Sequence, residues 1–130
     1  MTVVLDASAL LAFLYGEPGA DVVDAALDAA SVSAVNWSET LAKILARGGS
    51  ADRFGGQLLA LGLMVEPFTA EDARAAADLY TLTSPIGLSL GDRACLALAT
   101  RLHAPALTAN SAWAELDAGV EVRLIRGGSG

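Results

Sequence analysis

A chain of 130 residues that is 54% apolar fits one compact domain, which excludes a disordered chain and leaves no room for a second core. One cysteine excludes an internal disulfide, and with one histidine it excludes a zinc site built from this chain alone, so any metal must be held by oxygen. The net charge of −7, from 15 acidic and 8 basic residues, lacks the basic footprint of a general DNA-coating protein.

In chain order, Val3-Val4-Leu5 is a short β-branched apolar run closing at Asp6, the pattern of a buried strand. Ala7 to Leu14 reads as a short apolar helix stopped by Gly16 and Pro18. The spacing predicts a helix over roughly 20–30 and a second strand at Ser31-Val32-Ser33. A helix then begins at Asn36 and stops at Gly48-Gly49, and Ser50 caps another to about Leu61. Met64-Val65-Glu66 is a third strand, broken by Pro67.

Thr69 with Asp72 three residues on forms a capping box for a helix over 70–82. Ser84 to Gly91 reads as an extended connection, and Asp92 to His103 as a largely apolar helix on which Cys95 and His103 pack. A fourth strand ends at Thr108, a short helix covers 110–116, and a fifth strand covers 120–125. Residues 1–126 thus form one domain, with 127–130 a flexible glycine-rich tail. Asp6 interrupts the apolar start and the first basic residue is Lys43, so no signal peptide is expected. No apolar run approaches the ~20 residues of a membrane helix, and a cytoplasmic protein without membrane contact is the expectation.

Strands alternating with helices predict an α/β fold, a parallel sheet with helices on both faces. Ligands in such folds sit beyond the carboxyl ends of the strands. Asp6 ends the first strand, Glu39 lies in the first turn after the second, and Asn110 follows the fourth. Asp92 reaches the same edge if helix 70–82 runs ~20 Å away from it and the extended link, spanning up to ~26 Å, climbs back.

Each of these residues has an ordinary explanation. Asp6 and Asn110 are good caps, Glu39 follows Asn36 at capping-box spacing, and Asp92 follows Ser89 likewise. Together they are harder to dismiss, because carboxylates gathered at one edge repel each other until a hard cation such as Mg2+ or Mn2+ relieves them. Ser8 and Thr108 flank the edge as hydrogen-bonding candidates. Lys43, one turn after Glu39, either pairs with it or meets phosphate, and Arg93 is a surface arginine or a phosphate contact. Trp37 and Trp113 read as core or groove wall. Asp21, Asp24 and Asp28 form a solvated helix face, which leaves Glu17 without a role.

Four segments in order, Leu5-Asp6-Ala7-Ser8-Ala9-Leu10, Ser38-Glu39 with Lys43, Leu90-Gly91-Asp92-Arg93-Ala94-Cys95, and Leu107-Thr108-Ala109 before Trp113, resemble the PIN-domain nucleases. The likeness runs from Val3 to about Arg126 and is greatest to the VapC toxins of toxin–antitoxin pairs. It implies a three-layer sandwich around a parallel sheet of about five short strands, and a Mg2+- or Mn2+-dependent ribonuclease acting on RNA. Asp6 and Asp92 match the positions that most directly hold metal, and Glu39 matches a metal ligand or water-orienting group. A homodimer is implied, joined by a VapB-type antitoxin in a heterotetramer or larger assembly. The family's usual aspartate after Thr108 is Asn110 here, which removes one charge from the set and leaves Asp117 as a partial substitute. The alternative is a weakened or inactive PIN module that mainly binds antitoxin. A haloacid-dehalogenase-like phosphatase is disfavoured by Ser8 where a second acid belongs, and a receiver domain by Glu66-Pro67 after the third strand.

Overall fold

The computed structural model describes residues 2–127; of the expected tail, residues 128–130 lie outside the described residues. Five short strands, β1 (Val3–Leu5), β2 (Ala30–Ser33), β3 (Met64–Glu66), β4 (Ala106–Thr108) and β5 (Val122–Leu124), pair in the order β3-β2-β1-β4-β5. Every pairing is parallel, so all five carboxyl ends share one edge. Central β1 is buried along its whole length, as a strand covered on both faces must be.

Side chains alternate across the sheet and feed two separate cores. Val3, Leu5, Val32 and Leu107 pack on one face under α1 (Ala7–Leu14), α2 (Ala20–Ala26) and α4 (Ala51–Ala60). Val4 and Ala106 face the other way, onto α7 (Leu90–Leu102) and the fully buried Trp113. Both contain the apolar residues that the strand and helix periodicities mark, and the resulting three-layer α/β sandwich is the expected one.

Several element boundaries differ from expectation, each for a local reason. The helix after β2, α3 (Ala34–Ala46), starts two residues before Asn36, because the Ser33 hydroxyl caps it by accepting from the Val35 amide at 3.2 Å. Asn36 is therefore an interior residue, only 1% exposed, and Glu39 lies in the second turn. The expected Asn36–Glu39 capping box does not exist. In α7 the Ser89–Asp92 capping box is present, so that helix begins at Leu90. The fourth-strand turn carries a 3-10 turn over Ser111–Trp113 in place of a helix.

Helix 70–82 is divided at Leu79 into α5 (Ala70–Asp78) and α6 (Tyr80–Thr83), with the Thr69–Asp72 capping box in place. Ser84–Ile86 then winds as a 3-10 turn closed by Gly87 at φ 73°, where an extended link was expected. Proline fits the first positions of such a turn because its missing N–H has no partner there. The longer climb is unnecessary because α5 already runs antiparallel to α7: Arg93 Nη1 donates to the Ala76 carbonyl at 3.0 Å, while Arg101 at the far end of α7 reaches Asp72. The α5–α6 segment delivers the chain to the start of α7.

Arg101 grips Asp72 through Nε to Oδ1 at 3.0 Å and Nη2 to Oδ2 at 3.1 Å, and reaches the Pro67 carbonyl at 3.1 Å. Burial acts to raise the Asp72 pKa, but the Arg101 hydrogen bond and charge, with the Thr69 cap, hold it below the ordinary carboxylate value. Arg101→Met should cost about 2 kcal/mol in a urea melt at pH 7, since it strands a buried carboxylate; an unchanged midpoint would show that the pair contributes nothing. Glu17, unexplained in sequence, lies 3.9 Å from Arg47 and 3.7 Å from Arg126, tying the loop after α1 to two distant segments.

Candidate active site

Asp6 follows the last residue of β1 and caps α1: its Oδ1 accepts from the Ala9 amide at 2.9 Å. The same oxygen accepts from Ser8 Oγ at 2.7 Å, and Oδ2 accepts from Thr108 Oγ1 at the end of β4. Both hydroxyls are in turn oriented by the turn after β4, because the Ala109 amide donates to Ser8 Oγ at 2.9 Å and the Asn110 amide to Thr108 Oγ1 at 3.0 Å. A hydroxyl whose acceptor side is filled by an N–H points its proton at the carboxylate. Ser8 and Thr108 thus serve Asp6 itself.

Asp6 is 3% exposed. Burial pushes its pKa from 3.8 to about 6, against the three hydrogen bonds that favour the ionised form and with a further push from the charge of Asp92. Asp92 opens α7 and uses Oδ2 to accept from the Ser89 amide at 2.9 Å. Its cap role and its place beside Asp6 coexist, because the helix starts at the carboxyl edge.

Glu39 approaches from α3. Asn36 Nδ2 donates to Glu39 Oε1 at 2.9 Å and to the Gly91 carbonyl, one residue before Asp92, also at 2.9 Å. The Glu39 carboxylate lies so close to Gly91 that a Cβ there would overlap both of its oxygens. The convergence of the three acids is felt by one group: Cys95, fully buried in α7, has its thiol pKa raised well above the usual value by burial first, then by Asp6, Asp92 and Glu39.

Among the described residues, no three His, Cys, Asp or Glu side chains stand close enough together to form a ready metal cage. Asp92 and Glu39 are instead engaged with Ser89 and Asn36. The donor set nevertheless fits a hard divalent cation. It is all carboxylate, and burial and a like charge raise the proton affinity of its deepest member, a penalty on the ionised form that a cation would relieve.

The remaining candidates divide. Asn110 caps the 3-10 turn, its Oδ1 accepting from the Ala112 amide at 3.0 Å, and joins the cluster through its backbone N–H. Lys43 is exposed on α3 and forms no ion pair among the described residues, so the expected Glu39 partnership is absent. Arg93 is not a surface arginine: it binds the Ala76 carbonyl and lies over the Tyr80 ring at 5.5 Å. Asp117 is exposed and lines a groove with Leu82 and Ile86, apart from the cluster. Trp113 is sealed in the core, and Trp37 packs partly buried against α4 at Gly55. His103 does not pack; it ends α7 in the left-handed conformation, exposed, at φ 52°. Sequence reasoning missed Asn36 and Gly91. The available signal was a glycine in a helix's first turn, where a close approach by another side chain was the reason to look.

No curated protein matches the chain by sequence. Many solved structures share its fold, among them three toxin–antitoxin proteins. A toxin–antitoxin complex from Klebsiella pneumoniae superposes with a TM-score of 0.74 at 17% identity, over 95% of this chain and 97% of that one. VapBC2 from Rickettsia felis, bound to a DNA fragment from its promoter, gives 0.71 at 14% identity over 95% and 98%. VapBC-5 from Mycobacterium tuberculosis gives 0.56 at 24% identity over 96% and 98%. The PIN domain family matches residues 3–119, nearly the whole described chain and all the acidic positions above. This chain belongs to the PIN domain family.

Proposed function

We propose that the chain is a VapC-type toxin, a cytoplasmic Mg2+- or Mn2+-dependent ribonuclease that hydrolyses phosphodiester bonds of RNA. In this reading it works as a homodimer and is held in a heterotetramer or larger assembly by a VapB-type antitoxin. The observation that carries it is the buried Asp6 carboxylate, oriented by two hydroxyls beside a second carboxylate, at the edge where parallel α/β sheets bind ligands. The fold shared with the toxin–antitoxin complexes supports the biological setting.

In this reading Asp6 and Asp92 hold the cation, with Glu39 as a further ligand or the acceptor that orients the attacking water. A divalent cation there supplies water activation and neutralises charge building on the phosphate. Ser8 and Thr108 fix the Asp6 carboxylate so that no rotation is needed during reaction. The amino ends of α1 and α7 present their positive dipole ends to the same edge. Exposed Lys43 supplies a contact for the RNA backbone, and Arg93, half-buried with Nη1 on the Ala76 carbonyl and its guanidinium over Tyr80, is the less accessible of the two cations.

A second reading, a PIN module that binds antitoxin and turns over weakly or not at all, is favoured by one observation: the Asn110 oxygen is committed to Ala112 and carries no charge. Incubating the purified chain with labelled RNA and Mn2+ separates the two. Cleavage that a chelator stops supports the nuclease. In Asn110→Asp the cap is kept and the charge added, so a rise of about 10- to 100-fold is expected if the charge matters. Neither form cutting any RNA, with antitoxin still bound tightly, would establish the binding module.

A further inference from the structure

We propose that Asn36 is the positioning residue of this site: through one amide group it clamps Glu39 of α3 to the first turn of α7, setting where the Glu39 carboxylate stands relative to Asp92. The inference rests on the metal reading above and adds a residue to it.

Three observations carry it. Asn36 Nδ2 donates both of its protons, one to Glu39 Oε1 and one to the Gly91 carbonyl, so the amide orientation is fixed by two acceptors. Asn36 is 1% exposed, and its Oδ1 is buried with no hydrogen-bond partner among the described residues. Stability alone argues against such a group, since an apolar side chain of similar size would bury no orphaned acceptor. An amide retained there has its use in the two protons it donates. Finally, Gly91 leaves the space that Glu39 occupies, because any Cβ at that position would meet its carboxylate oxygens. The clamp therefore has two halves, a donor from α3 and a vacated backbone on α7, which meet on one carboxylate.

A residue with a purely structural role predicts different results. The Gly91 carbonyl sits in the first turn of α7, where a helical partner remains available, and Glu39 is only partly buried and open to water. Asn36→Leu should consequently leave the fold intact while freeing the Glu39 side chain. Gly91→Ala attacks the same contact from the other side, and it replaces glycine by the best helix former, so it should not weaken α7.

The test is Mn2+ binding, read from the free-ion signal in electron paramagnetic resonance, together with thermal melts of the metal-free proteins. Asn36→Leu and Gly91→Ala are each expected to weaken Mn2+ binding by about 10- to 100-fold, with melting temperatures at or above wild type. In a Glu39→Gln background Asn36→Leu should have no further effect, because the asparagine acts through Glu39. Wild-type affinity retained in both Asn36→Leu and Gly91→Ala overturns the clamp alone, as does a full further loss in the Glu39→Gln background. If Asn36→Leu fails to fold, Gly91→Ala by itself decides between these outcomes. A wild-type protein that binds no Mn2+ overturns the metal reading, and the clamp with it.

Discussion

Asp6→Asn should reduce metal-dependent RNA cleavage by about 10^3-fold while leaving the metal-free protein as stable as wild type or more so at pH 8. The two halves have one cause. The carboxylate is enclosed by Ser8, Thr108 and the start of α1, and raising its pKa from 3.8 to about 6 corresponds to on the order of 3 kcal/mol of strain in the ionised form. An amide removes that penalty: its Oδ1 still accepts from Ser8 and the Ala9 amide, and its Nδ2 donates to the second lone pair of Thr108 Oγ1, beside the Asn110 amide. In the proposed nuclease it also removes the negative charge through which a bound cation would supply several kcal/mol of catalysis. Cleavage rates and melting curves on the same preparation check both. Cleavage at the wild-type rate would take Asp6 out of the chemistry.

Stabilisation by Mn2+ should be small at pH 5 and grow as the pH rises through about 6. The folded-state pKa of Asp6 lies above its ordinary value, so the native protein holds this proton more tightly than the unfolded chain. Stability from this group is fully present below about pH 4 and is lost as the pH climbs past 6. A cation replaces the proton in the upper range and offsets the loss, which is worth roughly 10 °C in melting temperature for about 3 kcal/mol. Asp72 behaves oppositely: its pKa is lowered, so its contribution disappears only as the pH falls below the ordinary carboxylate range. The two windows do not overlap. Melts with Mn2+ and with chelator between pH 5 and 8 measure the effect, and the Asp6→Asn protein should lose the pH-dependent part. A shift independent of pH would place the ion elsewhere.

The strands and most helices were legible because their signals are local. Val3-Val4-Leu5 can bury three successive apolar side chains only as a central strand, and Ser50, Thr69 and Ser89 each announce a helix through a cap that needs no distant partner. Boundaries failed where a neighbour outcompeted the local pattern. Ser33 caps α3 and turns the apparent Asn36–Glu39 capping box into an interior contact. The link before α7 is wound because antiparallel docking of α5 on α7 leaves it little distance to cover.

The acidic positions Asp6, Glu39 and Asp92 are written in the sequence, as is the amide at Asn110, because residue type and spacing along parallel strands fix which ends meet at one edge. Family membership follows from the same motifs. Only the tertiary structure decided what each carboxylate experiences. Thr108, 102 residues from Asp6, supplies one of its hydrogen bonds; Asn36 reaches Gly91 across 55 residues; and Arg93 is turned away to Ala76. Local spacing encodes which groups a chain can offer. Their proton affinity and direction depend on burial and on partners distant in sequence, which exist only once the sheet and α7 have packed together.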